Sequence, residues 1–436
     1  MTSLSSHKIA SLMGEVQIPG DKSISHRALM LGAIATGSTE ITGLLMGEDV
    51  IATAMALIQV GVDIDLKPEK TVVQGVGLNG FQSPYQDLDM GNSGTSTRLL
   101  MGLMAGCDVK AKFIGDHSLS KRPMRRVMDP LSHMGAIFHS DHDMKLPITL
   151  QGSSQLTPIT YEQPIASAQV KSAILLAGLG IPDQKTVVIE PAPSRDHTEN
   201  MLAFFGADIH VEGPKITVSG RQVLSGQKID VPGDPSSAAF LTVAALITPK
   251  SDLYLPNICM NPRRDGLYQT LVEMGADITF ENTRKVMGER IVDLRVRSSA
   301  LTGVNVPAER APTMIDEYPI LFVAASCATG QTFMPGLKEL RVKESDRLAI
   351  MAKGLQDAGV NLEIQNDHDL TIYGSGKNPI GGALVQTHLD HRIAMSFLVL
   401  GLVTDRPVTI DDASPIQTSF PDFIPILQNL GVDLRA

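Results

Sequence analysis

The stretch Leu271–Phe280, LVEMGADITF, runs from an apolar helix end through a glycine into an alternating strand. Five other stretches read the same way: Leu57–Leu66 (LIQVGVDIDL), Leu131–Ser140 (LSHMGAIFHS), Leu202–Val211 (LAFFGADIHV), Leu355–Ile364 (LQDAGVNLEI) and Leu427–Ala436 (LQNLGVDLRA). Glycine at this point can take the left-handed conformation that ends a helix and turns the chain into a strand. One such site is weak evidence. Six of them, marked by Gly61, Gly135, Gly206, Gly275, Gly359 and Gly431, recur at a spacing of roughly 70 residues and predict a repeated β–α–β unit.

A second kind of segment lies between the markers, again six times. These are Lys22–Gly37, Asn92–Gly106, Ala166–Gly180, Asp234–Lys250, Asp316–Gly330 and Asp390–Asp405. Each begins polar and becomes almost wholly apolar. A helix apolar all round is buried in its domain, so only its polar start should reach a surface. Those starts carry Ser, Thr, Asp and Asn, which satisfy the free N–H groups of a helix terminus. The expected fold class is therefore α/β: two pseudo-symmetric domains of three repeats each, with helices inside and sheets outside. Gln17–Asp21 (QIPGD) and Asp230–Asp234 (DVPGD) are near twins. If both are domain crossings, one domain spans residues 21–233 and the other 1–20 plus 234–436.

Composition narrows the function classes. The chain has 436 residues, 43% hydrophobic and 19% charged, with a net charge of −10. That suits a folded protein with substantial cores. It argues against nucleic acid and anionic membranes as partners. Three scattered cysteines, Cys107, Cys259 and Cys327, give neither metal spacing nor a disulfide framework, which suits a reducing cytoplasm. His26, His197 and His391 also lack a metal-binding spacing, so no metal is expected, and nothing else in the sequence implies a cofactor. The N-terminal MTSLSSHKIASLMGEV has no apolar secretory core, and the apolar runs are too short to span a bilayer.

Helix starts suit anions, because each carries roughly half a positive charge. Lys22, Arg27, Arg98, Lys171 and Arg392 fall in the first turns of the apolar helices, and Ser120–Arg126 (SKRPMRR) and Glu339–Arg347 (ELRVKESDR) add loop cations. Singly, each of these residues reads as an ordinary surface charge. Their recurrence at one place in the repeat points instead to a basic site on an acidic protein, and so to a small polyanionic substrate. Pro19–Leu29, PGDKSISHRAL, resembles the end of a nucleotide-binding loop, but Asp21 separates Gly20 from Lys22 and breaks the required spacing.

Taken together, PGDKSISHRA, GNSGTSTRL, GDHSLSKRPM, ASAQVKSA, RDHTE, LRVKESDR, DHRIAMS and TSFPDF resemble the 5-enolpyruvylshikimate-3-phosphate synthase family, in its order and across its length. The resemblance implies transfer of the enolpyruvyl group of phosphoenolpyruvate to the 5-hydroxyl of 3-phosphoshikimate. It also implies a fold of two domains with three repeats each (an inside-out α/β barrel) and an active site in the cleft between them. By the same resemblance, 3-phosphoshikimate would be held by Lys22, Ser23, Arg27, Ser167, Ala168, Gln169, Arg195, Asp316 and Lys343. Phosphoenolpyruvate would be held by Lys22, Asn92, Gly94, Arg122, Gln169, Glu344, Arg347 and Arg392. Lys22, Asp316 and Glu344 are the candidate catalytic residues. A monomer is expected, since one chain would carry the whole site.

These residue types fit the chemistry. Two phosphates and two carboxylates must share one site, so cations and helix ends offset their repulsion, and arginine suits bidentate anion recognition. Two carboxylates could move the protons, Asp316 at the hydroxyl and Glu344 at the methylene carbon, provided each has reach and a suitable pKa. A related family transfers the same group to UDP-N-acetylglucosamine and usually carries a cysteine in the loop before its Arg-Pro. Here that loop reads GDHSLSKRP. ASAQVKSA, SRDHTE and TSFP resemble a subgroup with glyphosate-tolerant members. Those members often have alanine where Gly94 stands, so tolerance is not implied.

Overall fold

In the run from Leu88 to Gln151 the chain builds one repeat without interruption. Strand Leu88–Asp89 leads to helix Gly94–Ala105, strand Lys110–Ile114, helix Arg125–Met134, and strands Ile137–His139 and Ile148–Gln151. The first strand pairs in parallel with Lys110–Ile114. That strand pairs antiparallel with Ile148–Gln151, which in turn pairs with Ile137–His139. The run from Thr160 to Ser219 repeats this order strand for strand.

The computed structural model describes residues 3–220 and 222–436. They form six sheets, and the shared order is met in the others by strands brought from elsewhere in the chain. Lys228–Asp230 supplies the parallel edge beside Thr36–Thr42. Met13–Glu15 does the same for Asp252–Cys259. Leu4–Ser6 fills the antiparallel place between Val408–Ile410 and Leu434–Arg435. In the sixth sheet two parallel bridges, Thr302 to Thr329 and Asn305 to Phe333, stand where the parallel edge strand would be.

The chain divides into two compact units, one of Met1–Pro19, Pro232–Val286 and Arg290–Ala436, the other of Gly20–Val231 and Met287–Glu289. The tip of the hairpin formed by Asp277–Val286 and Glu289–Arg297 thus groups with the second unit. That excursion is not part of the repeat pattern.

Each marker glycine ends a helix with positive φ, from +85° at Gly431 to +112° at Gly135. A side chain there would be strained, which is why the helix stops and the strand begins at glycine. The six apolar helices are Lys22–Ile34, Gly94–Ala105, Ala168–Gly178, Pro235–Ile247, Tyr318–Cys327 and His391–Gly401. In the Pro235–Ile247 helix every residue is buried. Five of the six have a side-chain N-cap: Asp21, Ser93, Ser167, Asp234 and Asp390 accept from N–H groups of the first turn, each worth about 1 kcal/mol. Asp21 and Asp234 open the first such helix of their respective units. Helix Gly94–Ala105 packs so closely on Ala168–Gly178 that a methyl on Gly102 would lie 2.4 Å from the Ala173 carbonyl oxygen. These two helices are therefore held together by close backbone approach at Gly102 and Ala173.

Candidate active site

In the second unit, the start of helix Lys22–Ile34 carries three candidates. Lys22 is ion-paired with Asp49, in the first turn of helix Glu48–Gln59. Ser23 lies beside it, half-buried, and its carbonyl oxygen accepts from Arg27 Nη1 at 2.9 Å. Arg27 also donates through Nε to Thr198 Oγ1 at 2.7 Å and through Nη2 to Ser172 Oγ at 3.0 Å. It is 5% exposed. Burial pushes its pKa down to about 10, against Glu199, Asp21 and Glu289, and the charge of Arg195 lowers it further. It remains a cation at neutral pH.

A second group gathers at the start of helix Gly94–Ala105. Arg122 Nη2 donates to Asn92 Oδ1 at 2.6 Å, and Asn92 Nδ2 donates to Asp116 Oδ2 at 2.6 Å. Arg98 Nη1 donates to Gln169 Oε1 at 2.9 Å, while Gln169 Nε2 donates to Thr95 Oγ1 at 3.0 Å. A methyl on Gly94 would lie 2.8 Å from Arg98 Nη1 and 3.3 Å from Arg122 Nη1. Asn92, Gly94, Arg98, Arg122 and Gln169 therefore form one cluster. Ser167 caps the helix that Ala168 begins and that presents Gln169. Beneath Lys22, His26 Nδ1 lies 2.7 Å from Thr53 Oγ1, and Thr53 Oγ1 lies 2.6 Å from Ser96 Oγ. Burial, then the charges of Lys22 and Arg27, hold His26 well below its ordinary pKa, so the imidazole is neutral.

In the first unit, Arg347 organises the other group. Its guanidinium donates to Asp390 Oδ2 at 2.8 Å through Nε, to Glu344 Oε2 at 2.5 Å through Nη2, and to Asp316 Oδ1 at 3.3 Å through Nη1. Lys343 Nζ is 3.4 Å from the same Asp316 oxygen. Arg392 Nη1 donates to the Asp316 carbonyl at 3.0 Å. Burial disfavours the Arg347 charge, but Asp390, Glu344 and Asp316 outweigh it and raise its pKa above the ordinary value. The Arg347 side chain is 1% exposed, whereas Asp316 is 17% and Glu344 27%. The arginine is a buried anchor; of its three acids Asp390 is buried with it, while Asp316 and Glu344 are partly exposed.

Two readings made from the sequence change here. Lys171 does not offer its charge to a ligand: its ammonium is 1% exposed and lies between Glu190 Oε2 at 2.9 Å and Glu199 Oε1 at 2.6 Å. Nor is Arg347 the ordinary surface charge it reads as when taken singly, since it is buried among carboxylates. The sequence also hid several partners. Asp49, Ser172, Thr198, Glu190 and Glu199 lie far along the chain from the cations they hold. Asp390 carried a signal, because it opens DHRIAMS; one of its oxygens caps the His391–Gly401 helix while the other takes Arg347.

Residues 6–427 match the EPSP synthase (3-phosphoshikimate 1-carboxyvinyltransferase) family. The chain belongs to that family. It is 55% identical to a 3-phosphoshikimate 1-carboxyvinyltransferase of Paramagnetospirillum magneticum, covering 99% of this chain and 98% of the relative. It is 54% identical to one of Cereibacter sphaeroides with the same coverage. A solved EPSP synthase from Acinetobacter baumannii covers 100% of both chains at 43% identity, with a TM-score of 0.90. The α/β fold of the EPSP synthases is thus the fold of this chain. Against the related cysteine-bearing family stands Cys107, which lies beyond the far end of the Gly94–Ala105 helix; burial pushes its thiol up to about 12. Among the described residues no cluster of His, Cys, Asp and Glu could hold a metal ion, and no helix is long and apolar enough to cross a membrane.

Proposed function

We propose that this chain transfers the enolpyruvyl group of phosphoenolpyruvate to the 5-hydroxyl of 3-phosphoshikimate and releases phosphate. Family membership over nearly the whole chain carries the reading. The two groups of side chains give it a chemical basis. In the second unit, Lys22, Arg27, Arg98 and Arg122 are cations suited to phosphate and carboxylate. In the first, Asp316 and Glu344 are acids held in place by one buried arginine.

The reaction balances as an addition followed by an elimination. The 5-hydroxyl oxygen bonds to C2 of phosphoenolpyruvate, the hydroxyl proton leaves, and the methylene carbon gains a proton to become a methyl. The resulting tetrahedral intermediate then loses a methyl proton as the C2–O bond to phosphate breaks. Asp316 takes the hydroxyl proton. Glu344 exchanges the carbon-bound proton with assistance from Lys22, whose ammonium also offsets charge on both substrates. Ser23, Arg27, Ser167, Ala168, Gln169, Arg195, Asp316 and Lys343 hold 3-phosphoshikimate; Asn92, Gly94, Arg122, Gln169, Glu344, Arg347 and Arg392 serve phosphoenolpyruvate. The working state is a monomer in the cytoplasm, without cofactor or metal. Transfer to UDP-N-acetylglucosamine is the disfavoured alternative. Phosphate release measured with phosphoenolpyruvate and each acceptor in turn tests the reading: release is expected with 3-phosphoshikimate only, and release with the nucleotide sugar alone would overturn it.

A further inference from the structure

The cation that does not face a ligand has a different use. Lys171 sits one residue from Ser172 on helix Ala168–Gly178, and its ammonium is held by two carboxylates, each 6% exposed. Glu190 follows strand Lys185–Ile189, and Glu199 lies in the first turn of helix His197–Phe204. Between them runs the loop PAPSRDHT, which carries Arg195. The loop is thus tied at both ends to one point on the helix that presents Ser167, Ala168 and Gln169. Ser194, inside the loop, donates to the other oxygen of Glu190. Pro191 and Pro193 stiffen the backbone between the ties.

The same tie sets the partners of Arg27. Ser172 and Thr198, the next residues to Lys171 and Glu199, hold two of the Arg27 nitrogens, and their hydroxyls lie 2.6 Å apart. Two elements bearing proposed 3-phosphoshikimate ligands therefore meet at one buried ammonium, and the third, the Arg27 helix, is bonded to the residues next to it in sequence. The cluster is not a source of positive potential, because two carboxylates meet one lysine. Glu199 Oε2 is buried without a hydrogen-bond partner, and burial raises the pKa of that carboxyl. Buried ionic clusters are weak evidence of stability, since well-packed apolar replacements often do as well. What such a cluster does supply is a fixed register between the elements it joins.

We propose that Lys171 is a positioning residue for 3-phosphoshikimate, fixing the Arg195 loop and the Arg27 partners against the helix bearing Ser167 to Gln169. The inference rests on the proposed function of the site. Two variants test it: Lys171→Met, and a charge-neutral triple variant, Lys171→Met with Glu190→Gln and Glu199→Gln, in which no carboxylate is left unpaired. The expected result is a KM for 3-phosphoshikimate raised about tenfold or more, as a small misplacement of binding groups allows. The KM for phosphoenolpyruvate and kcat should stay within about twofold. Direct titration of 3-phosphoshikimate onto each variant should show the same loss. An unchanged affinity in either folded variant would overturn the inference, as would both KM values and kcat changing together. If neither variant folds, the cluster serves stability and the positioning role is overturned. A parent protein that turns over phosphoenolpyruvate with an acceptor other than 3-phosphoshikimate would instead refute the functional reading.

Discussion

Arg27 in the second unit and Arg347 in the first are both buried beside candidate residues, and the two are treated in opposite ways. Arg27 is bonded to hydroxyls and a carbonyl, and burial lowers its pKa to about 10. Arg347 is bonded to three carboxylates that overcome burial and raise its pKa. Neutral partners orient a cation without neutralising it, so Arg27 gains further stabilisation when an anion arrives. Arg347 is already compensated by the carboxylates it holds. On the proposed function, the second unit's cations bind anions while Asp316 and Glu344 of the first move protons.

The sharpest break of that division is at Asp316. Asp316→Asn keeps the size of the side chain and removes the base. General-base groups contribute about 10²–10⁴-fold, so kcat should fall by about 10³-fold with circular dichroism unchanged. Near-normal turnover would remove Asp316 from the proton chemistry. The two arginines then separate stability from binding. Arg347→Met leaves three carboxylates around an apolar side chain and should cost about 3–5 kcal/mol of stability, read as a lower denaturant midpoint. Arg27→Met removes a buried charge whose partners are neutral. It should leave the midpoint nearly unchanged and raise the KM for 3-phosphoshikimate about 10–100-fold, the worth of a charge-assisted hydrogen bond. If the two variants exchange these outcomes, the assignment of binding and anchoring roles is reversed.

How much of this was legible depends on the distance over which each feature is decided. The marker glycines and the N-caps are local, so the sequence pattern predicts six helix ends and their polar starts where the structure has them. The edge strands are not local. Leu4–Ser6, Met13–Glu15 and Lys228–Asp230 are three residues each, too short for alternation to name a partner, and each completes a sheet whose other strands lie elsewhere in the chain. Lys171 illustrates the same limit at the site. Its place in a first turn is readable, but the direction of its ammonium is set by Glu190 and Glu199, which reach it only through the fold.

A smaller effect is expected at Gly94. The added methyl of Gly94→Ala meets the Arg98 and Arg122 guanidiniums at 2.8 Å and 3.3 Å. These are ends of flexible side chains, so the variant should fold normally and pass the strain to the cluster. Displacing a side chain from its rotamer costs about 0.5–1.5 kcal/mol, which predicts a KM for phosphoenolpyruvate raised roughly two- to tenfold. The KM for 3-phosphoshikimate should change less, because of its proposed ligands only Gln169 touches the cluster, while Arg27 and its partners lie outside the contact. Glyphosate inhibition measured at fixed phosphoenolpyruvate for both proteins checks whether the same methyl reaches the inhibitor; equal inhibition constants would exclude it.

The smallest effect concerns His26, buried beside Lys22 and Arg27. Burial is the first cause of the lowered His26 pKa, followed by Lys22 and then Arg27. With the folded value below the ordinary 6.5, the unfolded chain binds the proton more readily. Stability is therefore fully present above pH 6.5 and is lost as pH falls from there toward the folded pKa. The slope from one group is at most about 1.4 kcal/mol per pH unit. Melting temperatures of the parent and His26→Asn between pH 7 and pH 5 should diverge, with the parent falling faster; parallel curves would mean that His26 titrates normally. Lys22→Met should raise the His26 pKa, followed by imidazole NMR, because it removes the larger of the two neighbouring charges. No such rise would leave burial and Arg27 as the causes of the shift.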